Sequence, residues 1–316
     1  MLTTTTPATL ARSSSTTTAG DALGAFLANK RSANTRRAYA ADLGAFARYL
    51  GAADQAEAAR VVLAADVAAV VAWRDAMIAD GCAPSTVARR LAAARTFYTF
   101  ARAVGAVERN PAELVEAPRV EAARQRAPHV EAAGARRLLD SPDTSTVRGL
   151  RDRAILGLLA CSGLRRAEVA GLRAGDVKCS PVGVTATVDG KGGKVRTVDV
   201  DRATAAALLA YLAAAGRPLD QAEASAPMFR GIGPHAGASG IALDTVDHLV
   251  RAHAARAGVE AVGGAVAPHA LRRTFATVAL DRGASLEALR RTMGHADPRT
   301  TARYDRRREA SVTVAY

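Results

Sequence analysis

The sequence predicts a mainly α protein with a small β-sheet, divided into two domains. Three observations carry this. Alanine and other aliphatic residues dominate an apolar fraction of 49%, and aromatics are only 4%, which favours helices over an all-β fold. Apolar residues recur at helical spacing along most of the chain, interrupted by two short β-like runs around a glycine-rich turn. The segment from 118 to 130 has no apolar stripe, and 316 residues are enough for two cores, so the chain divides there.

Taken in order, residues 1–19 are rich in Thr and Ser without an apolar core, so a disordered tail is expected rather than a secretory signal. Residues 20–117 read as a helical domain. Between Ser32 and Gly51, Tyr39, Leu43, Phe46 and Leu50 share one helix face. Asp66 is placed to cap the next helix, which carries Val70, Trp73 and Met77 on one side and stops at Gly81. Pro84 opens another, with Val87, Leu91, Ala94 and Tyr98 inward, ending near Gly105. Asn110-Pro111 is a turn, and 118–130 is expected to be an exposed linker.

The second domain, 131–316, opens with helices near 131–140 and 147–161. The β-like runs Val182 to Val188 and Val195 to Val200 flank Asp189-Gly190-Lys191-Gly192-Gly193-Lys194, which predicts a hairpin. Helices are expected again at about 202–214, 243–256, 269–282, 285–293 and 298–308, with Pro268 and Pro298 in first turns.

A net charge of +13 suits a polyanion partner, although an arginine-rich composition at large would read the same way. Its distribution is more telling. Residues 1–118 carry 13 basic and 10 acidic side chains, and residues 119–316 carry 30 and 20, so most of the excess lies in the second half. Three cysteines, Cys82, Cys161 and Cys179, show no metal spacing and read as idle thiols in a reducing compartment. No apolar run approaches 18 residues, so no membrane partner is expected.

Five short motifs carry chemistry: G-L-R-R at Gly163 to Arg166, G-K-G-G-K at Gly190 to Lys194, H-A-L-R at His269 to Arg272, M-G-H at Met293 to His295, and R-Y-D at Arg303 to Asp305. Singly they say little. Arg165 is one of 39 arginines, H-x-x-R reads as a capping histidine beside an unrelated arginine, and a terminal-helix tyrosine usually packs. Lys191 stands out more, because two of only four lysines fall in one turn, and lysine, unlike arginine, can give up a proton. Together they place cations around one possible nucleophile, Tyr304, with no acidic cluster to hold a metal. Those residue types suit attack of a phenol on a DNA phosphodiester, with cations stabilising the phosphorane and an acid protonating the leaving oxygen.

The combination resembles the tyrosine recombinase (phage integrase) family. It rests on S-G-L-R-R-A-E-V-A-G-L (Ser162 to Leu172), V-D-G-K-G-G-K-V-R-T-V (Val188 to Val198), P-H-A-L-R-R-T-F-A-T (Pro268 to Thr277) and M-G-H-A-D-P-R-T-T-A-R-Y (Met293 to Tyr304). It covers about 131–310, and more loosely the helical N-terminal half, which resembles the family's core-binding domain. Arg273 stands where the family often has histidine.

The resemblance implies a helical core-binding domain and a mixed α/β catalytic domain that clamp duplex DNA, in a compact Xer- or Cre-like architecture. It implies Tyr304 as nucleophile, forming a 3′-phosphotyrosyl link, with Arg165 and Arg272 on the non-bridging oxygens. Lys191 would be the acid, His269 a base and hydrogen-bond partner, and His295 a support for the scissile phosphate, with Glu168 orienting Arg165. It further implies site-specific recombination through a Holliday junction by a homotetramer on a specific DNA site, for integration or excision of a mobile element or for dimer resolution. No cofactor and no metal are expected, and the setting implied is the cytoplasm, at the nucleoid when DNA-bound. A type IB topoisomerase-like enzyme and a non-catalytic DNA-binding relative are the alternatives. The G-K-G hairpin and the helical N-terminal domain favour the recombinase over the first, and the intact six-residue set argues against the second.

Overall fold

The structure is a computed structural model. It describes residues 19–118, 128–190, 195–233, 237–295, 297 and 300–301. The tail at 1–18, most of the expected linker, Lys191, Lys194, Pro298 and Tyr304 lie outside the described residues. The chain forms two compact units, Met1–Ala122 and Ala123–Tyr316.

The first unit contains five helices among its described residues: α1 (Ala19–Ala28), α2 (Ala33–Tyr49), α3 (Gln55–Ala64), α4 (Val67–Ala79) and α5 (Pro84–Ala103). The caps are those that the residue types dictate. Ser32, Asp54 and Asp66 each accept a backbone N–H from the first turn of the helix that follows. The apolar stripes converge on one core of Phe26, Leu43, Phe46, Val62, Val70, Trp73, Met77, Leu91 and Phe97. Phe46 and Trp73 stack with centroids 4.5 Å apart, and the buried Tyr98 satisfies its hydroxyl on the Val62 carbonyl. After α5 the chain is tied back, since Arg95 donates to the carbonyls of Ala112 and Val115.

The second unit runs α6 (Ala132–Asp140), α7 (Val147–Ala160), α8 (Arg166–Gly171), β1 (Val177–Ser180), β2 (Gly183–Asp189), β3 (Val195–Val200), α9 (Arg202–Ala214), α10 (Leu243–Arg256), α11 (Pro268–Asp281) and α12 (Leu286–Met293). The sheet is antiparallel in the order β1-β2-β3, so the predicted hairpin has a third strand on its outer side. Asp189 pairs with Val195, the last pair of β2 and β3 before a stretch that lies outside the described residues. Val177, Ala186, Val188, Val198 and Val200 face the helices and join Leu156, Leu159, Leu208 and Tyr211 in the core.

The expectation of an exposed linker to residue 130 needs correction at its end. His129 and Val130 are buried, His129 bridges to Val262, and the Val130 N–H donates to Thr274 Oγ1. Two residues carry too little pattern for periodicity to mark them as core. Among the described residues, no helix is long and apolar enough to cross a membrane.

Candidate active site

Four of the six expected site residues fall on described segments, and local chain geometry places each of them. Helix α7 ends at Ala160, and Gly163 then turns the chain with φ +62°. That left-handed turn needs glycine for a second reason as well: a Cβ there would lie 2.4 Å from the Phe275 ring. The turn delivers Arg165 to the N-cap position of α8. Glu168, three residues on, reaches back so that its Oε2 accepts the Arg165 backbone N–H at 2.7 Å.

Pro268 opens α11 and sets His269 and Arg272 three residues apart on one face. Helix α12 ends in a glycine left-handed cap, Gly294 at φ +61° and ψ 48°. The N–H of Gly294 bonds the Arg291 carbonyl and that of His295 bonds the Arg290 carbonyl, a Schellman closure that aims His295 inward.

These segments meet around Glu168. Arg165 Nη1 donates to Glu168 Oε1 at 2.7 Å, and Arg196 on β3 grips both oxygens, Nη1 on Oε1 and Nη2 on Oε2, each at 2.8 Å. With the backbone N–H of Arg165, the carboxylate accepts four hydrogen bonds, about its full capacity. Burial works to raise the Glu168 pKa, but the bonds from Arg196 and Arg165 outweigh it and hold the carboxyl at about 2.

Three consecutive carbonyls at the end of α12 are each taken by a different arginine. Arg196 Nε donates to Thr292 O at 2.8 Å, Arg272 Nη2 donates to Met293 O, and Arg165 Nη2 donates to Gly294 O at 3.0 Å. Helix C-termini leave such carbonyls without intrahelical partners and carry partial negative charge, so guanidinium groups settle there. Arg272 is 2% exposed, and its Nη1 also donates to Gly163 O. Arg165 remains one-third exposed.

Both histidines are driven neutral. His295 is buried, with Nδ1 2.9 Å from Thr301 Oγ1 and Nε2 3.3 Å from Arg272 Nη2. Burial, then the charges of Arg272, Arg165 and Arg196, push its pKa down to about 4. For His269, desolvation comes first and the charges of Arg273, Arg272 and Arg165 follow; all act to lower its pKa. Part of His269 stays open to solvent, so the neighbouring cations are the firmer cause. Three guanidinium groups therefore surround a single carboxylate, with neutral imidazoles beside them. The excess positive charge suits an anion. Among the described residues, no group of three or more His, Cys, Asp or Glu is arranged to hold a metal ion.

Residues 129–310 match the Phage integrase family, and residues 24–105 match the phage integrase N-terminal SAM-like domain. The chain belongs to the phage integrase family. It is 36% identical over 275 residues to the tyrosine recombinase XerC of Pelobacter propionicus, covering 86% of this chain and 84% of that one. It is 31% identical over 271 residues to the tyrosine recombinase XerD of Neisseria meningitidis serogroup A, covering 86% of each. The fold is similar to that of a lambda integrase tetramer bound to a Holliday junction, with a TM-score of 0.65 at 14% identity, covering 88% of this chain and 76% of that one. The protein is thus a tyrosine recombinase of the Xer/integrase type, a DNA strand-transferring enzyme of site-specific recombination.

In this recombinase the fold brings Arg165, Arg272 and His295 into direct contact or onto adjacent carbonyls, with His269 beside them. Lys191 and Tyr304 lie outside the described residues. Arg196 lies outside the six expected positions, although the sequence carries a signal for it. It shares a strand face with Val198 and Val200, both buried, and a charged residue on the core face of a strand needs a partner.

Proposed function

We propose that this recombinase cleaves and rejoins DNA at a specific site through a 3′-phosphotyrosyl intermediate on Tyr304. The observation that carries the reading is the arginine cage. Glu168 is saturated by Arg165 and Arg196, and Arg165 keeps one-third of its side chain open beside the buried Arg272. An excess of guanidinium charge at a partly open surface, on the segments that match the family, supports a phosphate site.

In the proposed reaction, Arg165 and Arg272 take the non-bridging oxygens and His295 supports the phosphate. Tyr304 Oη attacks phosphorus and its proton passes to His269, which the neighbouring cations keep neutral and able to accept it. The bond from phosphorus to the 5′ oxygen breaks, and Lys191 protonates that oxygen. The reverse reaction, with a 5′ hydroxyl from another strand, restores the backbone and frees the tyrosine. No metal is needed, because cations already stabilise the phosphorane charge.

Four protomers on paired duplex sites would exchange strands through a Holliday junction, which the likeness to the lambda integrase tetramer supports. The task is integration or excision of a mobile element or resolution of DNA dimers, carried out in the cytoplasm on the nucleoid. The test is a nicked suicide duplex bearing the recombination site. The parent protein is expected to form a covalent adduct in EDTA. Tyr304→Phe is expected to bind the same duplex and form none, and an adduct of equal yield from that variant overturns the assignment.

A further inference from the structure

Arg196 has no place in the reaction just described, yet it makes three of the site's hydrogen bonds. Its fork holds both oxygens of Glu168, and its Nε holds the Thr292 carbonyl. A closed circuit results: Arg196 to Glu168, Glu168 to Arg165, Arg165 to the Gly294 carbonyl, and back through the main chain to Thr292. The circuit joins the start of α8, strand β3 and the end of α12. Gly294 is packed against the Arg196 side chain, 3.0 Å from where a Cβ would stand, so the turn leading into His295 rests on this arginine too.

We propose that Arg196 is a positioning residue for strand cleavage, which fixes Arg165 through Glu168 and holds β3 in register with the end of α12. The proposal rests on the phosphate-site reading above. The planar fork is what matters. Two parallel bonds fix the plane of the carboxylate, and that plane decides where Arg165 Nη1 finds its acceptor. A lysine at this position would retain the charge and lose the plane. Without Arg196, Glu168 would keep its bonds to Arg165 and its 3.9 Å ion pair with Arg272, but nothing would fix the plane of the carboxylate. Arg165 would stay tied to the Gly294 carbonyl while the acceptor of its Nη1 lost its set direction.

The experiment compares the parent protein with Arg196→Ala and Arg196→Lys in single-turnover adduct formation on the nicked duplex, at saturating protein and across pH. Both variants are expected to bind the duplex within about threefold of the parent and to cleave ~100-fold more slowly, the scale of a small misplacement at a reacting centre. The acid-side fall in rate is expected at higher pH in the variants, because Glu168 loses the partner that lowers its pKa. Guanidinium ion added at millimolar concentration is expected to restore part of the rate to Arg196→Ala and none to Arg196→Lys.

A folded Arg196→Ala that cleaves at the parental rate overturns the proposal. So does a parental rate in Arg196→Lys, which would mean that charge alone suffices. If Arg196→Ala shows no cooperative melting, Arg196→Lys decides. If neither melts cooperatively, Arg196 is a folding residue and the proposal fails. Tyr304→Phe in the same assay separates the two readings: an adduct from that variant, or none from the parent, sinks the phosphate-site reading and not the role of Arg196 alone.

Discussion

Nε2 of His295 faces Nη2 of Arg272 at 3.3 Å, so the imidazole accepts and the guanidinium donates. A guanidinium has no acceptor to offer, which assigns the ring's proton to Nδ1, where it bonds Thr301 Oγ1. The site thus holds its second histidine as one neutral tautomer.

That state has a consequence for stability. In the fold the His295 pKa is pushed down to about 4, against 6.5 for an unperturbed histidine. Between those values the unfolded chain binds the proton more readily, so stability falls as pH is lowered from 6.5 towards 4. Glu168 adds a loss of the same sign below 4.5, where its own protonation in the unfolded state begins. Melting temperature measured from pH 7.5 to 4.5 is expected to drop steadily. His295→Gln, which stays neutral throughout, is expected to flatten that slope. An unchanged slope in the variant would show that other groups set it.

Arg165 and Arg272 are proposed to share a chemical task, but their surroundings predict different costs of removal. Arg272 is 2% exposed, and its loss strands the carbonyls of Gly163 and Met293. Arg272→Ala is expected to lower unfolding free energy by about 3 kcal/mol. Arg165 is one-third exposed, and Glu168 keeps the Arg196 fork without it, so Arg165→Ala is expected to cost about 1 kcal/mol or less. Both variants should lose adduct formation. Urea titrations that give equal losses of stability would contradict this division.

Gly163 meets two constraints at once, a left-handed backbone and the Phe275 ring. Gly163→Ala is expected to cost about 3 kcal/mol and to slow cleavage, since the turn also presents the carbonyl that holds Arg272. Phe275→Ala in the same chain removes the clash and leaves the backbone strain. The pair should therefore cost less than the sum of the single changes by about 1 kcal/mol in a double-mutant cycle. Strict additivity would mean that the ring gives way without cost.

Lys191 and Lys194 lie three residues apart in the glycine-rich stretch 190–194, and only the first is proposed as the acid. Lys191→Ala is expected to slow cleavage far more than Lys194→Ala. A duplex with sulfur in place of the bridging 5′ oxygen should rescue Lys191→Ala, because a thiolate leaves without a proton. Equal defects in the two variants, or no rescue by sulfur, would remove Lys191 from that role.

Features that repeat within a few residues are legible in the chain before it folds. The stripes of α2, α4 and α5, the Asp66 cap, the glycine stops at Gly51, Gly81 and Gly105, and the β2–β3 hairpin all follow from a period of 3.6 or 2 and from turn chemistry. The order of the five motifs belongs to the same class, because each motif is local. Strand β1 was harder to see: only Val177 in Val-Lys-Cys-Ser is buried, so no alternation marks it.

How the motifs meet depends on contacts between segments far apart in the chain. Arg165 finds the Gly294 carbonyl across 129 residues, and Arg196 finds Glu168 across 28. The acceptors that align the three arginines are backbone carbonyls, which every residue possesses and no side-chain pattern announces. The same holds for the burial of Arg272. An arginine in H-x-x-R reads as exposed until the turn at Gly163 and the end of α12 close over it and supply the bonds that make burying its charge tolerable.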